Sequence, residues 1–364
     1  MSDSAPDSRQ RPYDLVLHGA TGFVGRLTAA HLAANAGSAR VALSGRSPAK
    51  LERLRDELRV DWPLLVTDAA SADDVAALAQ SATAVASTVG PYAKYGMPLV
   101  RACAAAGTAY ADLCGEVLFV RDSIDAVEEQ ARHTGARIVH ACGFDSVPSD
   151  LGVLLLHQQV AADGAGSLED TLLVVRSVRA GISGGTIDSL RTQQDEVKAH
   201  PDRRRVVSDP YALSPDRDIE PRSGSGRDLP PPHREPLVDA WVAPFVMAPF
   251  NSRIVRRSNA LLGHAYGPAF RYHEVLGVGR GAFAPVRAGA VTAGLAALSG
   301  GMSFPPTRWV LDRLLPEPGS GPSERTRRTG HFRIEVIGTT STGARYTATV
   351  AAKGDPGYAA TVAV

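Results

Sequence analysis

The chain contains 364 residues, of which 21% are charged, and its formal net charge is +1. This length predicts two domains, and the near-neutral charge argues against a nucleic-acid-binding protein, so we expect small molecules or other proteins as partners. The three cysteines lack the spacing of a disulfide framework or a zinc site, which favours a cytoplasmic location and predicts no bound metal.

The first part of the chain has the pattern of an α/β domain. Residues 1–12 are polar and predict a disordered tail rather than a signal peptide. Over 13–150, short apolar runs alternate with amphipathic segments, which predicts a Rossmann-type domain with a doubly wound parallel sheet. The predicted strands cover 13–17, 40–44, 64–67, 82–89, 109–112 and 137–141, and a helix is predicted over 48–58 because Ser47 and Pro48 are typical of a helix start.

Beyond residue 150 the pattern changes to mixed strands and helices. We predict an α+β substrate or dimerisation domain over 151–364. Its proline-rich segment 201–236 predicts an irregular surface excursion or a lid, and the apolar segment 282–304 predicts a packing helix, with peripheral membrane contact as the alternative. The predicted strands lie near 171–177, 271–277, 331–337 and 344–351, and the predicted helices near 151–159 and 186–200.

A glycine motif lies between the first predicted strand and the first helix. Gly19 permits a tight turn, Gly22 lets the backbone approach a pyrophosphate, and Gly25 lets the helix pack closely on the strand. The order strand, glycine turn, helix therefore predicts a dinucleotide site, against the alternative of an ordinary tight turn without a ligand. The predicted cofactor contacts of this turn are Gly19, Thr21, Gly22, Phe23, Val24 and Gly25.

The end of the second strand indicates which dinucleotide binds. An acidic residue there would favour NAD, but the chain has Arg46 followed by Ser47. Arg46 can bind a 2′-phosphate with Ser47 as a second donor, which predicts NADPH, whereas the alternative is a solvated surface arginine. Asp68 ends the third strand, where it would lie near the adenine or cap a helix over 69–80.

The end of the fourth strand should face the nicotinamide. Tyr92 and Lys94 are candidate catalytic proton donors there, and Tyr95 is a candidate substrate contact. The alternative is that these residues form a turn that shields the next helix. The residues predicted to bound the cofactor at this point are Val89, Gly90 and Pro91.

Three further residues are candidate substrate contacts. Asp145 and Ser146 follow the last strand of the first domain, where they would contact substrate or cap a helix that begins near Ser149. Ser183 lies in a G-x-S-x-G pattern over 181–185, which would suit a hydrolase nucleophile. Because the pattern follows a complete dinucleotide domain and no HGGG-type segment precedes it, we favour a substrate contact.

Several segments together resemble the saccharopine dehydrogenase-like oxidoreductases, and within them the actinobacterial trans-acting enoyl reductases. A short-chain dehydrogenase is disfavoured because no tyrosine has a lysine four residues later. The segments that carry the resemblance are 13–25, 44–47, 88–100, 110–116 and 142–150 in the first domain, and 183–186, 248–260 and 319–323 in the second.

The resemblance implies NADPH-dependent reduction of an enoyl double bond in a polyketide chain bound to a carrier or a synthase, in the synthesis of phthiocerol- or phenolphthiocerol-type glycolipids. Tyr92 or Lys94 would stabilise the enolate or protonate the α-carbon. The alternatives are another substrate within the same family and a non-catalytic NADP-sensing protein. We also expect a homodimer, and peripheral contact with the plasma membrane is the alternative to a purely cytoplasmic location. Members of the family continue into a further helical segment.

Overall fold

The computed structural model describes residues 11–179, 184–220, 228–303, 307 and 321–363. These residues form two six-stranded sheets, one in each domain. The candidate substrate contact Ser183 and most of the predicted N-terminal tail lie outside the described residues.

The first sheet is parallel and has the strand order β3-β2-β1-β4-β5-β6. Its strands are β1 (Tyr13–His18), β2 (Val41–Gly45), β3 (Leu64–Val66), β4 (Ala82–Ser87), β5 (Ala109–Asp112) and β6 (Ile138–Val139). The order reverses between β1 and β4, which is the switch point where open α/β sheets bind ligands. The predicted Rossmann-type fold is therefore confirmed.

Helices cover both faces of this sheet. One core cluster joins α1 and α2 to the sheet through Ala29, Leu51 and Leu54. The cluster on the opposite face contains residues of the next three helices, among them Val75 of α3 and Leu99 of α4. The helices are α1 (Phe23–Asn35), α2 (Pro48–Leu58), α3 (Ala72–Ser81), α4 (Tyr92–Ala106) and α5 (Val117–Thr134).

Two predicted strands end two residues earlier than expected. The fourth was predicted to reach Val89, but β4 ends at Ser87, and the N–H of Val89 points to the Ser87 hydroxyl at 3.4 Å. The sixth was predicted over 137–141, but β6 ends at Val139, because Ala141 has a left-handed φ of 61° and donates its N–H to the Asp112 carboxylate at 3.1 Å. A strand cannot continue through such a φ.

The third helix also begins later than predicted. It was expected over 69–80, but α3 begins at Ala72, because the Ser71 hydroxyl accepts the N–H of Asp74 and caps the helix. Asp68 is therefore not the cap. Its carboxylate accepts the N–H of Ala70 at 3.1 Å and stabilises the turn that leads into the helix.

The second sheet is mixed, with the order β12-β11-β7-β10-β9-β8, and it confirms the α+β domain. Only the β7–β10 pair is parallel among its described strand pairs. Its strands are β7 (Leu168–Arg179), β8 (His233–Glu235), β9 (Ala240–Pro244), β10 (Arg271–Gly279), β11 (His331–Thr340) and β12 (Arg345–Lys353). The sequence did not predict β8 and β9, which are short and lie in and next to the proline-rich segment.

The described parts of the segment 201–236, which are residues 201–220 and 228–236, are more ordered than predicted. It contains the short helix α8 (Arg203–Ser208) and strand β8, and the side chains of Tyr211 and Leu213 are buried. A surface excursion without secondary structure would leave such side chains in water. The proline pattern therefore marked a break in periodicity rather than a loss of structure.

Two helices pack on one face of the second sheet. They are α6 (Val147–Ala162) and α9 (Ala248–Leu261), and they share a core cluster with β7, β10 and β11. The sequence predicted that α6 begins near Ser149 or Leu151, but it begins at Val147, with Pro148 in its first turn. The other helices in the described part of the chain are α7 (Gly184–Ala199), α10 (Ala284–Ser303) and α11 (Glu324–Thr329), and two short helical turns follow at Pro356–Ala360 and Thr361–Ala363.

Helix α10 is the helix that was predicted over 282–304. Most of its described residues are exposed, including Val286, which has 69% of its surface accessible. Among the described residues, no helix combines the length and the apolar character needed to cross a bilayer.

A buried polar cluster lies where α6, α9 and β10 meet. The carboxylate of Glu274 accepts hydrogen bonds from the Tyr272 hydroxyl at 2.7 Å and from the Asn251 amide at 3.0 Å, and Ser149 contacts the same group. Glu274 is fully buried, and burial raises its pKa from the ordinary 4.5 to about 7. A buried carboxylate is thus held in a site that favours its neutral form.

We expect Glu274 to make the stability of the protein fall as pH rises from about 4.5 to 7. In this range the folded protein keeps the proton that the unfolded chain releases, so the free energy of unfolding drops by up to about 3 kcal/mol. Denaturant unfolding over this pH range should show a flatter profile for Glu274→Gln. The exposed Glu129→Gln is the control, and an unchanged slope in Glu274→Gln would contradict the assignment.

Candidate dinucleotide site

The turn between β1 and α1 can be built only with glycine at its critical points. Gly19 has a left-handed φ of 84°, and a Cβ there would lie 2.7 Å from the Val89 side chain and 2.8 Å from the Thr88 hydroxyl. A Cβ on Gly25 would lie 2.2 Å from the Gly19 carbonyl oxygen. The helix therefore starts as close to the strand as the backbone allows.

The first turn of α1 presents N–H groups to the carboxyl edge of the sheet. Gly22 precedes the helix without a side-chain cap, and the first turn contains no acidic residue. Among the described residues, no acceptor meets the N–H groups of Phe23, Val24 and Gly25. Such free donors and the positive end of the helix dipole form an anion site, and they fit the pyrophosphate of a dinucleotide.

The predicted 2′-phosphate contacts lie beside this turn. A Cβ on Gly45, the last residue of β2, would be 3.6 Å from the Thr21 hydroxyl, so the two segments are neighbours. Arg46 is exposed and pairs with no acidic group in the described part of the chain, and Ser47 precedes α2 without a side-chain cap bond. A free guanidinium and a free hydroxyl at a helix start fit a phosphate monoester.

The end of β4 is tied to the same turn. Thr88 donates its N–H to the His18 carbonyl at 3.0 Å, and its hydroxyl donates to the Gly19 carbonyl at 3.1 Å. Val89, Gly90 and Pro91 follow, and the Gly90–Pro91 peptide bond is cis. The predicted boundary residues of the nicotinamide end thus lie next to the glycine turn.

The two predicted catalytic side chains have opposite environments. The Tyr92 hydroxyl is buried; it donates to the Ser87 carbonyl at 3.1 Å and accepts the N–H of Leu113 at 3.2 Å. Burial, followed by the charge of Asp112, raises the pKa of Tyr92 well above its ordinary value. Lys94 and Tyr95 are exposed on the first turn of α4.

Sequence reasoning missed the buried carboxylate of Glu116. It accepts the N–H of Tyr92 at 3.0 Å and of Ala93 at 2.8 Å, and the hydroxyl of Ser189 on α7 donates to it at 2.7 Å. Burial raises its pKa, and these hydrogen bonds oppose the increase. Glu116 therefore caps α4 and connects the first domain to the second. The only signal in the sequence was its place at the end of the segment 110–116.

The two candidate substrate contacts after β6, Ser146 and Asp145, also differ in their exposure. The Ser146 hydroxyl is buried and donates to the Asn251 side chain at 2.9 Å, so it holds α6 against α9 rather than capping α6. Asp145 has exposed surface at the edge of the sheet, but the surrounding protein desolvates its carboxyl group, and this desolvation, followed by the charge of Asp355, raises its pKa. The geometry leaves Asp145 accessible to a substrate and Ser146 inaccessible.

The profile of the saccharopine dehydrogenase NADP-binding domain matches residues 15–139. A Mycobacterium tuberculosis (strain H37Rv) protein named among the trans-acting enoyl reductases is 51% identical over 361 residues, which are 96% of this chain and 86% of the relative. The trans-acting enoyl reductase of Mycobacterium ulcerans is 47% identical over 373 residues, 97% of this chain and 87% of the relative. The chain belongs to the trans-acting enoyl reductase family.

The protein is an NADP-dependent oxidoreductase, and NADPH is its cofactor, as the sequence predicted. Apo saccharopine dehydrogenase from Saccharomyces cerevisiae aligns over 96% of this chain and 88% of its own, with 12% identity and a TM-score of 0.45. The Rossmann-type fold of the first domain follows from the strand order of its own sheet.

We expect Arg46→Ala to lower the affinity for NADPH by about tenfold to a hundredfold, because a charge-assisted contact with the 2′-phosphate is lost. NADH lacks that phosphate, so its affinity should stay within about twofold. Titration calorimetry with both dinucleotides measures the difference, and Arg53→Ala, at an exposed arginine on the α2 helix that follows Arg46, is the control. Equal losses for NADPH and NADH would rule out the phosphate contact.

Proposed function

We propose that the protein uses NADPH to reduce an enoyl double bond in a polyketide-derived acyl chain that stays attached to a carrier or a synthase. The observation that supports this is the similarity to named trans-acting enoyl reductases over almost the whole chain, at 47–51% identity. We extend the proposal to phthiocerol- or phenolphthiocerol-type glycolipid synthesis as the setting of the reaction.

Reduction of an enoyl thioester requires a hydrogen-bond donor and a proton, and we propose that the chain itself provides them. When bound, NADPH supplies a hydride to the β-carbon of the enoyl thioester. The thioester oxygen then gains negative charge and needs a hydrogen-bond donor, and the α-carbon needs a proton. We propose that Lys94 donates the hydrogen bond or the proton, because its ammonium group is exposed in the first turn of α4. We propose Tyr95 as a neighbouring substrate contact.

Tyr92 fits a positioning role better than proton transfer. Its hydroxyl already donates to the end of β4 and accepts from the loop after β5, so a reacting group would have to break one of these bonds. Its raised pKa also makes it a weak acid. We propose that Tyr92 fixes the distance between the two strand ends that border the nicotinamide.

We expect the protein to oxidise NADPH in the presence of an enoyl thioester attached to a carrier protein. With NADPH deuterated at the transferred position of nicotinamide C4, mass spectrometry should find the label on the β-carbon of the saturated product. The saturated thioester is the control substrate. Turnover of a carbonyl or imine substrate without turnover of the enoyl thioester would overturn the proposed function.

Lys94→Met should lower kcat for the enoyl thioester by about a hundredfold, because positioned proton donors contribute at least that much, and it should leave the Kd for NADPH unchanged. Lys353→Met, at the exposed end of β12, is the control.

Tyr92→Phe should instead lower the free energy of unfolding by about 1 to 2 kcal/mol and keep most of the turnover. If a stable Tyr92→Phe variant lost as much turnover as Lys94→Met, the Tyr92 hydroxyl would take part in the reaction, and the positioning role would be contradicted.

A further inference from the structure

The second domain covers the start of the cofactor helix at Phe23. The Phe23 ring meets the Tyr358 ring edge-on, with centroids 5.2 Å apart, and the Arg327 guanidinium carbon lies 5.5 Å from the Phe23 centroid. A Cβ on Gly321 would be 2.2 Å from the same ring, so the backbone of the second domain also approaches it closely. Phe23 is the first residue of α1, directly after Gly22, which the sequence predicts to approach the pyrophosphate.

Arg327 is held by hydrogen bonds at its main chain and at its side chain, and no described carboxylate neutralises its charge. Its carbonyl accepts the N–H of Asp355 at 2.7 Å, and one arm of its guanidinium donates to the Pro322 carbonyl at 2.8 Å. No carboxylate in the described part of the chain forms an ion pair with it, and its other guanidinium donors meet no described acceptor. A guanidinium carries five N–H donors, so most of them remain available.

Two positive features thus both adjoin Phe23. The N-terminus of α1 carries free N–H groups and the positive end of the helix dipole, and the partly buried Arg327 cation lies beside its first residue. Two such charges repel each other when nothing lies between them, whereas an anion between them is attracted by both. The cofactor that this chain binds carries such an anion, its pyrophosphate.

We propose that Arg327 contacts the pyrophosphate of the dinucleotide from the second domain, opposite the N–H groups of α1. The inference rests on the NADP-binding domain and does not depend on the enoyl substrate. Arg327 would act on a different phosphate from Arg46, which lies after β2. Cofactor binding would then join the two domains, because one anion is held by residues of both.

The test compares two fragments of the cofactor. 2′-Phospho-ADP-ribose carries both the pyrophosphate and the 2′-phosphate, whereas 2′-AMP carries the 2′-phosphate alone. We expect Arg327→Ala to weaken binding of the first fragment by about tenfold or more and to leave the second within about twofold, measured by titration calorimetry on the full chain. Arg46→Ala should weaken both fragments.

Two further variants separate charge from packing. Arg327→Met keeps an apolar stem over the Phe23 ring and removes the charge, so it should show the same selective loss with an unchanged unfolding temperature. Arg328→Ala, an exposed arginine on the same short helix, should change neither affinity. Equal loss of both fragments in Arg327→Met, or no loss of the first, would overturn the proposal.

Discussion

The contact between the main chain of α1 and the Gly19 carbonyl constrains the rest of the first domain's ligand-binding edge. Because a Cβ on Gly25 would lie 2.2 Å from that oxygen, helix and strand touch through backbone atoms alone. This closeness aims the N-terminus of α1 at the carboxyl edge of the sheet. Thr88 and Val89, which follow the neighbouring strand β4, pack against Gly19, so the same residue positions both the phosphate end and the nicotinamide end of the site.

The second domain reaches this edge through contacts of different kinds. Ser189 bonds to the buried Glu116, which caps α4, so a polar network fixes that helix start. At the start of α1 the contact is made by rings, and the N–H groups of the helix stay free. A carboxylate therefore fills the anion site of α4 from within the protein, whereas the anion site of α1 is left for a ligand.

The polar residues that are candidates for catalysis or substrate contact fall into a buried group and an exposed group. Tyr92 and Ser146 are buried, and their hydroxyls bond to other parts of the protein, so they hold strand ends and helices in place. Lys94, Tyr95 and Asp145 are exposed at the same edge of the sheet. A hydroxyl that already satisfies its hydrogen bonds loses them if it turns toward a substrate, which explains why the exposed groups are the better candidates for chemistry.

The sequence by itself determined the Rossmann-type order of strands and helices, the glycine turn and the preference for NADPH. These features depend on local patterns: apolar periodicity, glycines at fixed spacing, and an arginine where NAD-binding proteins carry an acid. Tertiary structure alone decided that Tyr92 is buried, that Glu116 caps α4 and that Arg327 lies over Phe23. Each of these joins residues far apart in the chain, and one sequence carries no signal for which distant groups satisfy a buried polar atom or meet across a domain boundary.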